Sequence, residues 1–137
     1  MSTGYLLVRV AGRPYGLPLG RVLEVDDLGE VLDVPRVLPA MRGVTPLRGR
    51  LVPLVHLGAL LADGPPPAER GATTVLVTLG DGQRCVAFEV DDVEEVVREP
   101  TLPVPPGESL PWAGGVARRQ EGLVPILDLA VLEDRIG

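Results

Sequence analysis

Gly43-Val44-Thr45-Pro46-Leu47-Arg48-Gly49-Arg50-Leu51-Val52-Pro53-Leu54-Val55-His56-Leu57 is the stretch whose reading decides the fold. Arg48-Gly49 breaks the apolar pattern as a turn does, and Leu51 to Val55 then runs as an apolar, partly β-branched strand. The pattern returns as Gly115-Val116-Ala117-Arg118-Arg119-Gln120-Glu121-Gly122-Leu123-Val124-Pro125-Ile126-Leu127-Asp128-Leu129. Gly43, Val44, Leu51, Val52, Pro53 and Leu57 recur at Gly115, Val116, Leu123, Val124, Pro125 and Leu129, an offset of 72 residues without a gap. Val22-Leu23-Glu24-Val25 is echoed 71 residues later by Val93-Glu94-Glu95-Val96. An internal repeat of this kind implies two related halves, with function on the surfaces they present.

Outward from the repeat, Tyr5 to Val10 alternates as a strand, Gly12-Arg13 marks a tight turn, and Tyr15 to Leu19 reads as the returning arm. Pro18 points to an edge position or a bulge, because it cannot donate to a ladder. Thr73 to Leu79, the turn Gly80-Asp81-Gly82-Gln83, and Arg84 to Val90 form a second hairpin. Leu57 to Leu61 and Leu129 to Asp134 suit short helices, and Pro100 to Pro111 is loop-like. Three consecutive prolines at Pro65-Pro66-Pro67 mark a linker over 63–71. The reading is one domain over 1–137, with subdomains over 4–62 and 72–133. Each would hold about five short strands, and small sheets of that kind bury a core by curling into barrels.

Composition supports an all-β architecture with short helices. The 137 residues are 45% hydrophobic but only 3% aromatic, so Val and Leu must fill the core. Seventeen Gly and fifteen Pro favour turns over long helices. All thirteen basic residues are Arg, which reads as the signature of a GC-rich genome. A net charge of −6 argues against a nucleic acid or an anionic membrane as partner. No stretch reaches membrane-span length, a signal peptide is not evident, and the single Cys85 suits a reducing compartment, so a cytoplasmic protein is expected.

Signals for enzymatic chemistry are weak. His56 is the sole histidine, and a nucleophilic arrangement would pair it with Ser2, Ser109 or Cys85, none of which lies in a nucleophile turn. One Cys and one His cannot close a zinc site, and a chain without Lys has no P-loop. The pairs Asp26-Asp27, Asp91-Asp92 and Glu94-Glu95 fall on strands, where neighbours point to opposite faces, so they read as a solvated face. No catalytic residue, cofactor or metal site is assigned. Trp112 reads as packing a loop against a barrel end, with a partner-facing role as the alternative. Glu24 and Arg48 each sit in an apolar stretch at a turn or strand edge, and spacing alone does not show whether they meet.

Taken together, several segments resemble the CheW family of bacterial chemotaxis adaptors over residues 4–133. They are Val22-x-Glu24-Val25, Pro35, Gly43-Val44, Leu47-Arg48-Gly49, Val52-Pro53-Leu54-Val55-x-Leu57, Phe88-Glu89-Val90-Asp91-x-Val93-x-Glu95-Val96 and Gly115-Val116 through Leu127-Asp128-Leu129. The resemblance implies two five-stranded SH3-like β-barrels packed together, and a non-enzymatic scaffold at chemoreceptor arrays. It implies two partners, the cytoplasmic hairpin tip of a chemoreceptor and the regulatory domain of a CheA-type histidine kinase. Carried over residue by residue, it makes Glu24 and Arg48 a functional ion pair. Val22, Glu24, Gly43, Val44 and Arg48 would then form a receptor-facing groove between the barrels. His56 stands where the family usually has Asp, and Thr45-Pro46 replaces Ile-Asn. These departures leave the receptor pair intact and touch the kinase contact. The alternative reading is therefore a receptor-only variant that modulates array assembly. A small enzyme working in the inter-barrel groove is the distant alternative.

Overall fold

The computed structural model describes residues 4–35, 37–80 and 82–136; Ser2 and Asp81 lie outside the described residues. The strands are β1 (Tyr5–Val10), β2 (Arg13–Pro18), β3 (Val22–Asp27), β4 (Met41–Leu47), β5 (Arg50–His56), β6 (Thr73–Leu79), β7 (Arg84–Val90), β8 (Asp92–Val97), β9 (Ala113–Arg119) and β10 (Gly122–Leu127). Helix α1 (Leu57–Ala62) follows β5, and α2 (Leu129–Ile136) follows β10.

The strands form two five-stranded sheets, in the orders β8-β1-β2-β10-β9 and β3-β6-β7-β5-β4. These orders are the same list under the repeat: β1, β2 and β3 correspond to β6, β7 and β8, and β4 and β5 to β9 and β10. The halves exchange strands to build them. The first half gives β1 and β2 to one sheet and β3, β4 and β5 to the other, and the second half does the reverse. The expected division into 4–62 and 72–133 therefore does not follow the sheets. Repeat position marks related segments, whereas hydrogen bonding joins segments across the halves.

Register explains the repeated residues. Leu32 exchanges both backbone bonds with Val44 at 2.8 and 2.9 Å, and Leu102 does the same with Val116 at 2.8 Å each. A Cβ on Gly43 would lie 2.4 Å from the Leu32 carbonyl oxygen, and one on Gly115 would lie 2.9 Å from that of Leu102. The glycine before each valine is thus what lets the incoming chain close on β4 or β9, covering a side that would otherwise be bare. Val44 faces Pro53 and Val116 faces Pro125 in the neighbouring strand. Because Val44 and Val116 spend their backbone groups on the incoming chain, the missing proline N–H costs no bond there. The parallel pairing of β5 with β7 begins one residue later, at Leu54, and β10 meets β2 at Ile126. Pro18, by contrast, ends β2, which is an interior strand flanked by β1 and β10; it tolerates the place because the contact with β10 lies at Gly16.

Each sheet carries buried apolar side chains on both faces. Leu6, Val8 and Val10 of β1 meet Val75, Val77 and Leu79 of β6 in a core shared by the two sheets, closed over by Leu57, Leu60 and Leu132 of the helices. The opposite face of the first sheet curls around Tyr5, Leu7, Val97, Ala117, Val124 and Ile126. That of the second curls around Val52, Leu54, Leu76 and Ala87. Each such fully buried Leu or Val contributes about 1.5–3 kcal/mol. Apolar residues on both faces are why the strands read as runs and not as strict alternations.

Candidate partner-binding site

The β4–β5 turn positions Arg48. Leu47 pairs with Arg50, leaving a two-residue loop in which Arg48 and Gly49 have φ of 53° and 76°. Positive φ at both positions is what a hairpin turn matching the strand twist requires. The turn lifts the Arg48 side chain clear of the sheet, 57% exposed, and brings its Nε to 3.0 Å from Glu24 Oε1. Glu24 arrives there through a bulge: Val22 pairs with Val77 and Glu24 with Leu76, so Leu23 is an extra residue. Without the bulge Val22 and Glu24 would share a face. With it, Val22 packs on the shared core and Glu24 turns to the inner side of the curled sheet.

Glu24 and Arg48 belong to the two outer strands of one sheet, so their ion pair ties the sheet's ends together. The other sheet has the same device. Glu95 stands opposite Leu7 as Glu24 stands opposite Leu76, after an equivalent bulge at Glu94, and it pairs with Arg119 at the end of β9. The arginine sits one residue earlier in its hairpin than Arg48 does. The signal for this second pair was already visible in the Glu24/Glu95 echo. The shift of the arginine within the hairpin hides it from a gapless comparison.

Of the five residues assigned by resemblance, Glu24 and Arg48 are joined by an ion pair. Glu24 and Arg48 meet at the rim of the second sheet. Val22 lines the seam between the sheets. Gly43 is buried against the Leu32 carbonyl, and Val44 is half-buried beside it. At the seam, Val25, Asp26 and Asp27 of β3, Thr73 of β6, and Asp92 and Val93 of β8 line one cleft. Among the described residues no group of three His, Cys, Asp or Glu side chains could hold a metal ion.

Two polar sites went unread in the sequence. His56 Nδ1 accepts the Ala59 N–H at 3.0 Å and caps α1, as Asp128 Oδ1 accepts the N–H groups of Ala130 and Val131 to cap α2. The repeat aligns these two residues, so the His in place of Asp is a helix cap. Burial pushes its pKa below the ordinary value; Arg42 adds to this, while Glu89 and Asp91 act the other way. Glu89, fully buried, accepts Arg42 Nε at 2.6 Å, Arg42 Nη2 at 3.0 Å and the Gly71 N–H at 2.6 Å. It thereby fastens the linker to strands from both halves. Trp112 packs edge-on against Tyr15, with ring centroids 5.9 Å apart, and against the shared core.

Comparison with known proteins agrees with this architecture. The CheW-like domain family matches residues 4–136. The chemotaxis protein CheW of Klebsiella aerogenes is 29% identical over 93 residues, which is 68% of this chain and 55% of that protein, so the match spans about half of the relative's length. The crystal structure of the scaffolding protein TtCheW from Thermoanaerobacter tengcongensis superposes with a TM-score of 0.79, covering 96% of this chain and 92% of the other at 23% identity, a likeness of fold. With a family match from the first described strand to the end of α2, and two sheets built as in a solved relative, the chain belongs to the CheW-like domain family.

Proposed function

We propose that this protein is a non-enzymatic adaptor in the cytoplasm. It couples a chemoreceptor's cytoplasmic hairpin tip to the regulatory domain of a CheA-type histidine kinase. The observation that carries the reading is the CheW-like match over 4–136 together with a Glu24–Arg48 pair at 3.0 Å whose arginine is exposed and whose carboxylate is half-buried. An ion pair with one solvent-exposed member at a sheet rim contributes only about 0–1 kcal/mol to stability, so the Arg48 charge is available to a partner. The seam cleft adds Val25 and Val93 beside three carboxylates, which suits a helix with an apolar stripe flanked by basic residues. No helix among the described residues is long and apolar enough to cross a membrane. Contact with a receptor array would run through the receptor.

Capture of purified receptor-tip and kinase regulatory fragments tests the reading. The expected result is capture of both, with Arg48→Glu reducing receptor capture by about tenfold or more while the fold is unchanged. Capture of the receptor alone selects the receptor-only variant. Capture of neither overturns the reading, and undiminished capture by Arg48→Glu removes Arg48 from the site.

A further inference from the structure

A cleft of about 340 Å³ opens where the β1–β2 turn, the start of α1 and the segment before β9 meet. Its walls are Val10, Tyr15, Leu61 and Trp112, and two polar side chains, His56 and Arg13, complete it. This volume lies at the small end of ligand pockets, which span about 300–1,000 Å³.

His56 is 6% exposed and lines the cleft. Its Nδ1 accepts from the Ala59 N–H and so carries no proton. The neutral ring therefore carries its proton on Nε2, and that N–H has no partner among the described residues. Gly58 makes room for the ring, since a Cβ there would sit 3.2 Å from His56 Cε1 and 3.0 Å from Val10 Cγ1. The carboxylates that face His56 are both engaged elsewhere: Glu89 with Arg42 and Gly71, and Asp91 with the Ala11 N–H at 2.8 Å. Arg13 is exposed and makes no ion pair among the described residues. In a chain of net charge −6, this cleft has a cation and an imidazole donor on its walls and no carboxylate. The larger cleft beside β8 and β9 mixes both signs instead, with Glu94, Glu95, Glu99 and Glu121 beside Arg9, Arg118 and Arg119.

We propose that the cleft is a binding site for a small aromatic carboxylate. Its ring would lie among Trp112, Tyr15 and Leu61, and its carboxylate would accept from His56 Nε2 and pair with Arg13. A site of this kind would take ligand from contacts on both sheets at once, since Val10 and Tyr15 belong to one and α1 follows the other. The inference is independent of the adaptor reading.

Trp112 is the sole tryptophan, so its fluorescence reports the cleft directly. Phenylacetate is titrated into the full chain, with benzylamine as the cationic counterpart of the same size. The expected result is a saturable change with phenylacetate at a Kd of about 1 mM or tighter, and binding of benzylamine at least about tenfold weaker. The Ala59 amide resonance shifts in step, because its acceptor ring bears the ligand. Arg13→Glu, at an exposed side chain without an ion pair among the described residues, keeps the circular dichroism spectrum and weakens phenylacetate by about tenfold or more. Absence of saturation, equal response to the two probes, or an unaltered affinity in Arg13→Glu each overturns the proposal.

Discussion

At the scale of single residues, His56 shows how a local substitution follows from its surroundings. The equivalent cap in the second half is Asp128, but a carboxylate at position 56 would sit beside Glu89 and Asp91. A neutral imidazole caps the helix without that repulsion. Its folded pKa lies below the ordinary 6.5, because burial disfavours the charged ring. Above that pH both folded and unfolded chains hold a neutral ring and the cap's stability is fully present. As pH falls below it, the unfolded chain takes up the proton first, and the contribution is lost through the folded pKa. Denaturant unfolding between about pH 7.5 and pH 5 should show His56→Asn losing less stability than the parent, and His56→Ala about 1 kcal/mol less stable at the higher pH. Arg42→Ala leaves Glu89 buried without its cation and should cost about 3–5 kcal/mol in the same measurement. The sequence held the His56/Asp128 correspondence in plain view. The Arg42–Glu89 bond was not legible, because it reaches across β5 between β4 and β7, strands that share a sheet only through the exchange between halves.

At the scale of elements, the glycines set how closely chains approach. A methyl group on Gly43 would meet the Leu32 carbonyl at 2.4 Å, so Gly43→Ala should destabilise by about 1–3 kcal/mol, the range for overpacking. Gly115→Ala meets its carbonyl at 2.9 Å and should cost less, with both read from shifts in the denaturation midpoint. Strands β1, β6 and β7 were legible from their apolar runs, and both helices from their length and position. Strand β4 was harder: Gly43 and Pro46 read as turn residues, yet both lie inside it. Their places follow from the Leu32 bridge and the β5 register, which are long-range facts. The tight turn at Gly12-Arg13 falls one residue earlier, at Ala11-Gly12, where φ is positive at both positions.

At the scale of the molecule, the repeat was legible and its assembly was not. Two five-stranded units are present, but matching segments sit in different sheets from their chain neighbours. Sequence similarity reports common origin and carries no information on which strands bond. Glu24 and Arg48 follow the same logic: their pairing needed the sheet to curl, which neither residue's neighbours reveal. Fragments ending and beginning within the linker should each be largely unfolded by circular dichroism, because each lacks the partners of both its strand groups. Mixed in equal amounts, they should recover the native β spectrum. Independent folding of either fragment would contradict the exchange.

The trading of strands between halves also says what half of the chain would be on its own. A gene of half this length would encode a chain with two unfinished sheets, and two copies of it would complete each other without further invention. The linker that now runs through Pro65-Pro66-Pro67 then reads as a suture between the subunits of an intertwined homodimer.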